Sequence, residues 1–417
     1  MKRNLITGGM CLAILAGGAY LHFEKQRGVV EAATVMAPRF EVDPLWPKPL
    51  PNHWVLGPTV GVAVDSKDHV WIVHRAGMND PSEMFLSTNK AECCSPAPLV
   101  LEFLPDGTLG RHWGGPHEGY DYPAENHGIF IDYKDNVWIG GAGRGTDPDA
   151  KPGAPPVRLK AGDNDLVGYF HDANLLKFTE DGQFLMQIGK AGVVKGSNDT
   201  ETLRLPAKSY VDPKTDELYV ADGYANHRVV VFDANTGKYK RHWGAYGHKP
   251  EDKSLGPYDP NAPVAQQFRT PVHCAMLSND NLLYVCDRVN DRIQVFRPDG
   301  TFVKEAFIAK NTLGQGSVWD IAFSKDPQQK YLYVPDGASN KVRIILRDTL
   351  EVVTTFGDGG RQPGEFFGVH SIAVDSKGNI YTTETFEGHR LQKFIYKGMA
   401  PVTKMDQGVV WPKITMK

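Results

Sequence analysis

Six times along the chain, a short run of apolar and β-branched residues passes through a polar turn into a second such run, the pattern of paired strands. The pairs fall at 61–65 with 69–74, 128–132 with 137–140, 210–212 with 218–222, 274–277 with 282–287, 320–323 with 331–335, and 371–375 with 380–384. Most copies continue into a third run, for example at 228–232, 292–296, 341–345 and 391–394. A fourth often ends in an aromatic residue and a glycine: Trp113-Gly114, Trp243-Gly244 and Phe356-Gly357. Four antiparallel strands repeated six times, at a period of roughly 40–70 residues, predict an all-β, six-bladed β-propeller. Ring closure lets each small sheet bury both faces against its neighbours and leaves no long open edge. A pair of β-sandwiches would not explain six like units without a linker between them.

Two stretches break the period, 77–98 in the first copy and 141–171 in the second, and are expected to be long rim loops. With 43 glycines and 29 prolines in 417 residues the chain is rich in turns, unlike a helix bundle. The formal charge of −3 gives no reason to expect nucleic acid or an anionic membrane face as partner. Lys2 and Arg3 precede an uncharged stretch, 4–23, whose apolar core is short for a membrane span of ~20 residues. That layout predicts export, to the periplasm or the exterior, with the segment either cleaved or kept as a membrane anchor. Residues 1–33 are thus read as signal or anchor plus linker, and 34–417 as the propeller. The four cysteines beyond it, Cys93, Cys94, Cys274 and Cys286, suit an oxidising compartment. Cys274 and Cys286 lie six residues either side of Asp280, so a hairpin centred there sets them face to face. They can form a disulfide or remain two small buried thiols.

Three of the 14 histidines share one repeat position. His127, His273 and His370 sit immediately before the innermost strand of the second, fourth and sixth copies. Alternate blades of a six-bladed ring lie about 120° apart, so three imidazoles would converge on the central channel. Three neutral imidazoles with an open fourth position form a catalytic zinc arrangement. Arg75, Tyr224 and Arg288 fall near the same end of the channel. An arginine can hold a carboxylate in bidentate fashion, and a tyrosine beside cations and a metal can act as a base.

These stretches resemble a known family. The segments around Gly61…Arg75, Asn126-His127-Gly128, Ala221-Asp222-Gly223-Tyr224, Pro271-Val272-His273, Cys286-Asp287-Arg288 and Val369-His370-Ser371 look like the catalytic core of peptidyl-α-hydroxyglycine α-amidating lyase. The resemblance spans roughly 42–396 and implies a six-bladed propeller of the NHL-repeat type. It implies zinc on His127, His273 and His370, and Arg75 on the substrate carboxylate. Tyr224 would be the base, and Arg288 would hold the tyrosine and the substrate. The implied reaction cleaves the C–N bond of a carbinolamide, giving an amide and glyoxylate from a peptide or small-molecule substrate. Some positions depart from the family. Ser371 stands where the family has the aspartate of a structural calcium site, and Gly368 where it has a methionine. Ala225 replaces a disulfide cysteine. Two other classes compete: a non-catalytic envelope scaffold, and a calcium-dependent lactonase, whose sites use carboxylate and asparagine ligands on the axis.

Overall fold

The computed structural model describes residues 35–76, 93–143 and 172–412. The leader or anchor (1–33) and most of both rim insertions therefore lie outside the described residues. The remainder folds as six four-stranded antiparallel sheets, the blades of a β-propeller. The innermost strands are Thr59–Val64, Asn126–Ile131, Pro206–Val211, Val272–Leu277, Ala322–Phe323 and Val369–Val374, for blades 1 to 6.

The second strand of each blade is buried on both faces, which is why it reads as an unbroken apolar run. Val70–His74, Val137–Gly141, Leu283–Asp287 and Ile380–Glu384 are buried at every position. Core clusters form between blades. Val229, Val231 and Trp243 of blade 3, for example, pack on Val272, Ala275 and Val285 of blade 4. Each such side chain contributes roughly 1.5–3 kcal/mol on burial.

The ring is closed by a strand that the repeat pattern did not reveal. Met36–Val42 pairs antiparallel with Arg390–Pro401, from Met36 opposite Pro401 to Val42 opposite Phe394. The start of the propeller thus supplies the outermost strand of blade 6, and the two ends of the domain are hydrogen-bonded to each other.

The first turn of several blades is set by an aspartate at the end of the innermost strand. Asp65, Asp132 and Asp375 each accept the backbone N–H groups two and four residues on. At the opposite end of blades 3 to 6, an acid closing the second strand pairs with an arginine near the start of the third. The pairs are Asp222–Arg228, Asp287–Arg292, Asp336–Arg343 and Glu384–Arg390. Among the described residues, blades 1 and 2, which carry the two long insertions, lack this clamp. His74 replaces it in blade 1: Nδ1 accepts from Gly57 N at 3.1 Å and Nε2 donates to Pro98 O at 2.8 Å. In blade 2 Asp172 accepts the N–H groups of Ala124, Glu125 and Gly143.

Candidate metal centre

His127, His273 and His370 are each the second residue of an innermost strand, inside it rather than just before it. Pairing with the second strand slips at each one: the register shifts between Asn126 and Ile129, Val272 and Cys274, and Val369 and Ser371. A bulge of this kind frees a residue from the ladder and re-aims its side chain. The three rings meet edge to face, with centroids 4.8, 4.9 and 4.9 Å apart. One ring nitrogen from each lies within 4.8 Å of the others.

The odd-numbered blades hold these rings from behind. His127 Nδ1 bonds the carbonyl of Ala207 at 2.8 Å, and His370 Nδ1 that of Val60 at 2.6 Å. His273 Nδ1 bonds the carbonyl of Trp319. A carbonyl only accepts, so Nδ1 carries the proton and Nε2 keeps its lone pair. Burial above all pushes the three imidazoles well below the ordinary histidine pKa, and the charge of Arg288 acts in the same direction on each. Three neutral imidazoles anchored through Nδ1 fit a tetrahedral metal with one open position.

Tyr224 stands two residues beyond the second strand of blade 3. Its hydroxyl lies 2.8 Å from Nε2 of His127 and 3.0 Å from Nε2 of His273. Arg288 donates to the same hydroxyl at 3.1 Å and to Gln315 Oε1 at 2.7 Å, with its guanidinium 4.5 Å from the Trp319 ring centroid. Arg75 directly follows Val70–His74. It donates to the carbonyl of Asn126 at 2.9 Å, and its NH1 lies 3.4 Å from Glu125. Tyr224 therefore sits on two of the histidines with Arg288 against its hydroxyl, while Arg75 lies at the seam of blades 1 and 2, on the carbonyl next to His127.

The clamps position these groups. Asp222 accepts from Arg228, from Asn226 and from Arg204 N, and Tyr224 follows two residues later. Asp287 accepts from Arg292, from Asn290 and from Arg269 N, and Arg288 is the next residue. Cys274 and Cys286 form a disulfide with Cα atoms 4.9 Å apart. It joins the residue after His273 to the strand that ends before Arg288. Cys93 is bonded to its neighbour Cys94. Trp319 and Gln315, which back Arg288, went unnoticed in the sequence because they lie between strand runs and match no repeated motif.

One residue beyond the histidine level, Lys208 Nζ lies 2.6 Å from Asp320 Oδ2, and Ser371 Oγ donates to the same oxygen at 2.5 Å. The cation beside this acid is an ammonium of the chain itself. The residues here do not fit a structural calcium, in line with the loss of the aspartate at position 371. A second group of possible ligands, Asp65, His69 and Glu102, is already satisfied internally. His69 bonds Glu102 at 2.7 Å, Trp71 donates to Asp65, and Arg111 donates to Glu102.

The NHL repeat family model matches residues 368–394. The chain is similar to peptidyl-glycine alpha-amidating monooxygenase of Mus musculus, 26% identical over 271 residues. That match covers 60% of this chain but only 22% of the relative. NHL repeat-containing protein 3 of Mus musculus is 26% identical over 86% of this chain and 84% of its own length. Peptidyl-alpha-hydroxyglycine alpha-amidating lyase 1 of Drosophila melanogaster is 22% identical over 85% of this chain and 59% of its own length.

Proposed function

Taking the chain as an NHL-repeat β-propeller with distant relatives among amidating enzymes, we propose that it is an exported, zinc-dependent carbon–nitrogen lyase. Its substrate would be a peptidyl-α-hydroxyglycine or a related carbinolamide. One observation carries this reading: the Tyr224 hydroxyl touches two of the three converging imidazole nitrogens and is held on its other side by Arg288.

The reaction balances without water. In R–CO–NH–CH(OH)–COO⁻ the hydroxyl proton passes to Tyr224 acting as base. The oxygen electrons form the C=O of glyoxylate as the C–N bond breaks, and that bonding pair goes to nitrogen. Nitrogen takes up one proton, and the products are R–CO–NH₂ and OHC–COO⁻. Arg288 stabilises negative charge on the tyrosine oxygen, and the proton that Tyr224 takes from the hydroxyl is the one nitrogen receives. Arg75, at the seam beside His127, holds the carboxylate that becomes glyoxylate. Zinc on His127, His273 and His370 would supply Lewis-acid stabilisation of negative charge on the substrate oxygen.

The test is metal analysis of the purified full chain together with glyoxylate release from an N-acyl-α-hydroxyglycine. About one zinc per chain with release of glyoxylate supports the lyase. Calcium alone would favour a lactonase, and no metal a binding scaffold. The ammonium of Lys208 beside Asp320 argues against the lactonase, because it already supplies the cation at the acidic site on the axis.

A further inference from the structure

We propose that the substrate's acyl group carries its own anion, and that Arg269 recognises it in a cleft beside the metal centre. This rests on the lyase reading above, and it names the substrate class for that site. The cleft encloses about 670 Å³ and begins at Tyr224 and Arg288. Its walls come from three loops: Gly256, Pro257 and Tyr258 on one side, Arg269 to Pro271 leading into the strand of His273, and Leu313 to Gln315 opposite. That volume lies within the ~300–1,000 Å³ range of small-molecule sites.

The charge of the cleft is one-sided. Among the described residues Arg269 and Arg288 line it, and no carboxylate does. Each guanidinium is already oriented by the protein with hydrogen-bonding capacity to spare. Arg288 is 5% exposed, and its Nε has no hydrogen-bond partner. Arg269 donates Nε to Asn290 Oδ1 at 3.0 Å and NH1 to the carbonyl of Gly256, and it stacks 5.7 Å from the Tyr258 ring centroid. Its NH2 makes no hydrogen bond within the described residues. Asp287, whose charge acts on Arg269, is already paired with Arg292 at 2.8 Å. A pre-oriented arginine without its own carboxylate suits bidentate capture of one from a ligand. Pro257, Tyr258, Val289 and Leu313 add apolar wall for the methylenes between. With the glyoxylate end at Arg75 and the reacting carbon at Tyr224, the acyl chain runs over Arg288 toward Arg269. The fitting substrate is a short dianion, an acidic N-acyl-α-hydroxyglycine.

Two substrates of equal length isolate the charge: N-glutaryl- and N-pentanoyl-α-hydroxyglycine. Zinc-loaded full-length protein should show kcat/KM for the glutaryl compound roughly 10–100-fold higher, the usual weight of one charge-assisted contact. Arg269→Gln should erase that preference and leave the pentanoyl rate unchanged, while Arg269→Lys should restore part of it. Equal rates for the two substrates in wild type, or an equal loss on both in Arg269→Gln, would overturn the proposal and leave the lyase standing. Calorimetry with N-glutarylglycine and N-pentanoylglycine, which lack the hydroxyl, reads the cleft without turnover. A binding preference that depends on Arg269, with no glyoxylate released, would keep the anion site and remove the lyase reading. Absence of any preference in both measurements would overturn the cleft proposal.

Discussion

Even-numbered and odd-numbered blades reach the channel at the same repeat position and use it differently. In blades 2, 4 and 6 the residue at the bulge is a histidine, and its side chain faces the centre. In blades 1, 3 and 5 the corresponding residues are Val60, Ala207 and Trp319, and it is their carbonyl that accepts Nδ1 of a histidine in the adjoining blade. The register slips in blades 1 and 3 too, between Thr59 and Gly61 and between Pro206 and Lys208, while in blade 5 Trp319 lies just before the innermost strand Ala322–Phe323. A metal ligand must both bind and be oriented. Neighbouring copies divide presentation and orientation of the three imidazoles, which is how a sixfold repeat builds a threefold site. The odd blades also place Arg75 and Tyr224, and blade 4 places Arg288.

The largest effect should come from separating the two sets. Tyr224→Phe removes an odd-blade hydroxyl and leaves every histidine in place. Glyoxylate release should fall ~10²–10⁴-fold, the usual weight of a general base, with zinc content unchanged. Activity close to wild type would transfer the proton to another group.

Next in size is the clamp behind Tyr224. Arg228→Met strands the Asp222 carboxylate and the carbonyls of Ser197, Asp199 and Thr202 that Arg228 now satisfies. Removing one partner of such a buried pair costs about 3–5 kcal/mol, readable by urea unfolding. A loss under 1 kcal/mol would mean the clamp does not hold the blade.

Blade 1 replaces that clamp with His74, and its signature is a pH dependence. Burial lowers the His74 pKa from 6.5 to about 4. Between those values the unfolded chain takes a proton that the fold refuses, so stability falls as pH drops from 6.5 toward 4. The contribution is on the order of 3 kcal/mol, at ~1.4 kcal/mol per pKa unit. Unfolding measured at pH 7 and pH 4.5 should show a shallower loss for His74→Gln than for wild type. Equal losses would exclude His74 as the source.

The smallest effect addresses the carbonyls directly. A Cβ at Gly128 would lie 2.2 Å from Ala207 O, the atom that orients His127. Gly128→Ala should displace it and weaken metal binding by about 10–100-fold, the typical cost of disturbing such a partner. Unchanged zinc affinity would show that orientation from the odd blades is dispensable.

The propeller was legible because each second strand is buried on both faces and so reads as an apolar run, and because turn aspartates such as Asp65 and Asp132 recur. The three histidines were legible because they share a repeat position. The closing strand Met36–Val42 was not, since it lacks a hairpin partner nearby in sequence and pairs with Arg390–Pro401 across the whole chain. The carbonyls of Val60, Ala207 and Trp319 were also hidden, because a backbone acceptor leaves no mark on residue type. Lys208 beside Asp320 could be found only in three dimensions, since the two come from different blades and 112 residues apart.

The central claim is that His127, His273 and His370 hold one metal ion together. Zinc content of the purified chain and of His273→Ala, with circular dichroism to confirm the fold, tests it most directly. The account predicts about one zinc per wild-type chain, and loss of stoichiometric zinc from a variant that keeps its β-rich spectrum. Full zinc occupancy in folded His273→Ala would contradict it.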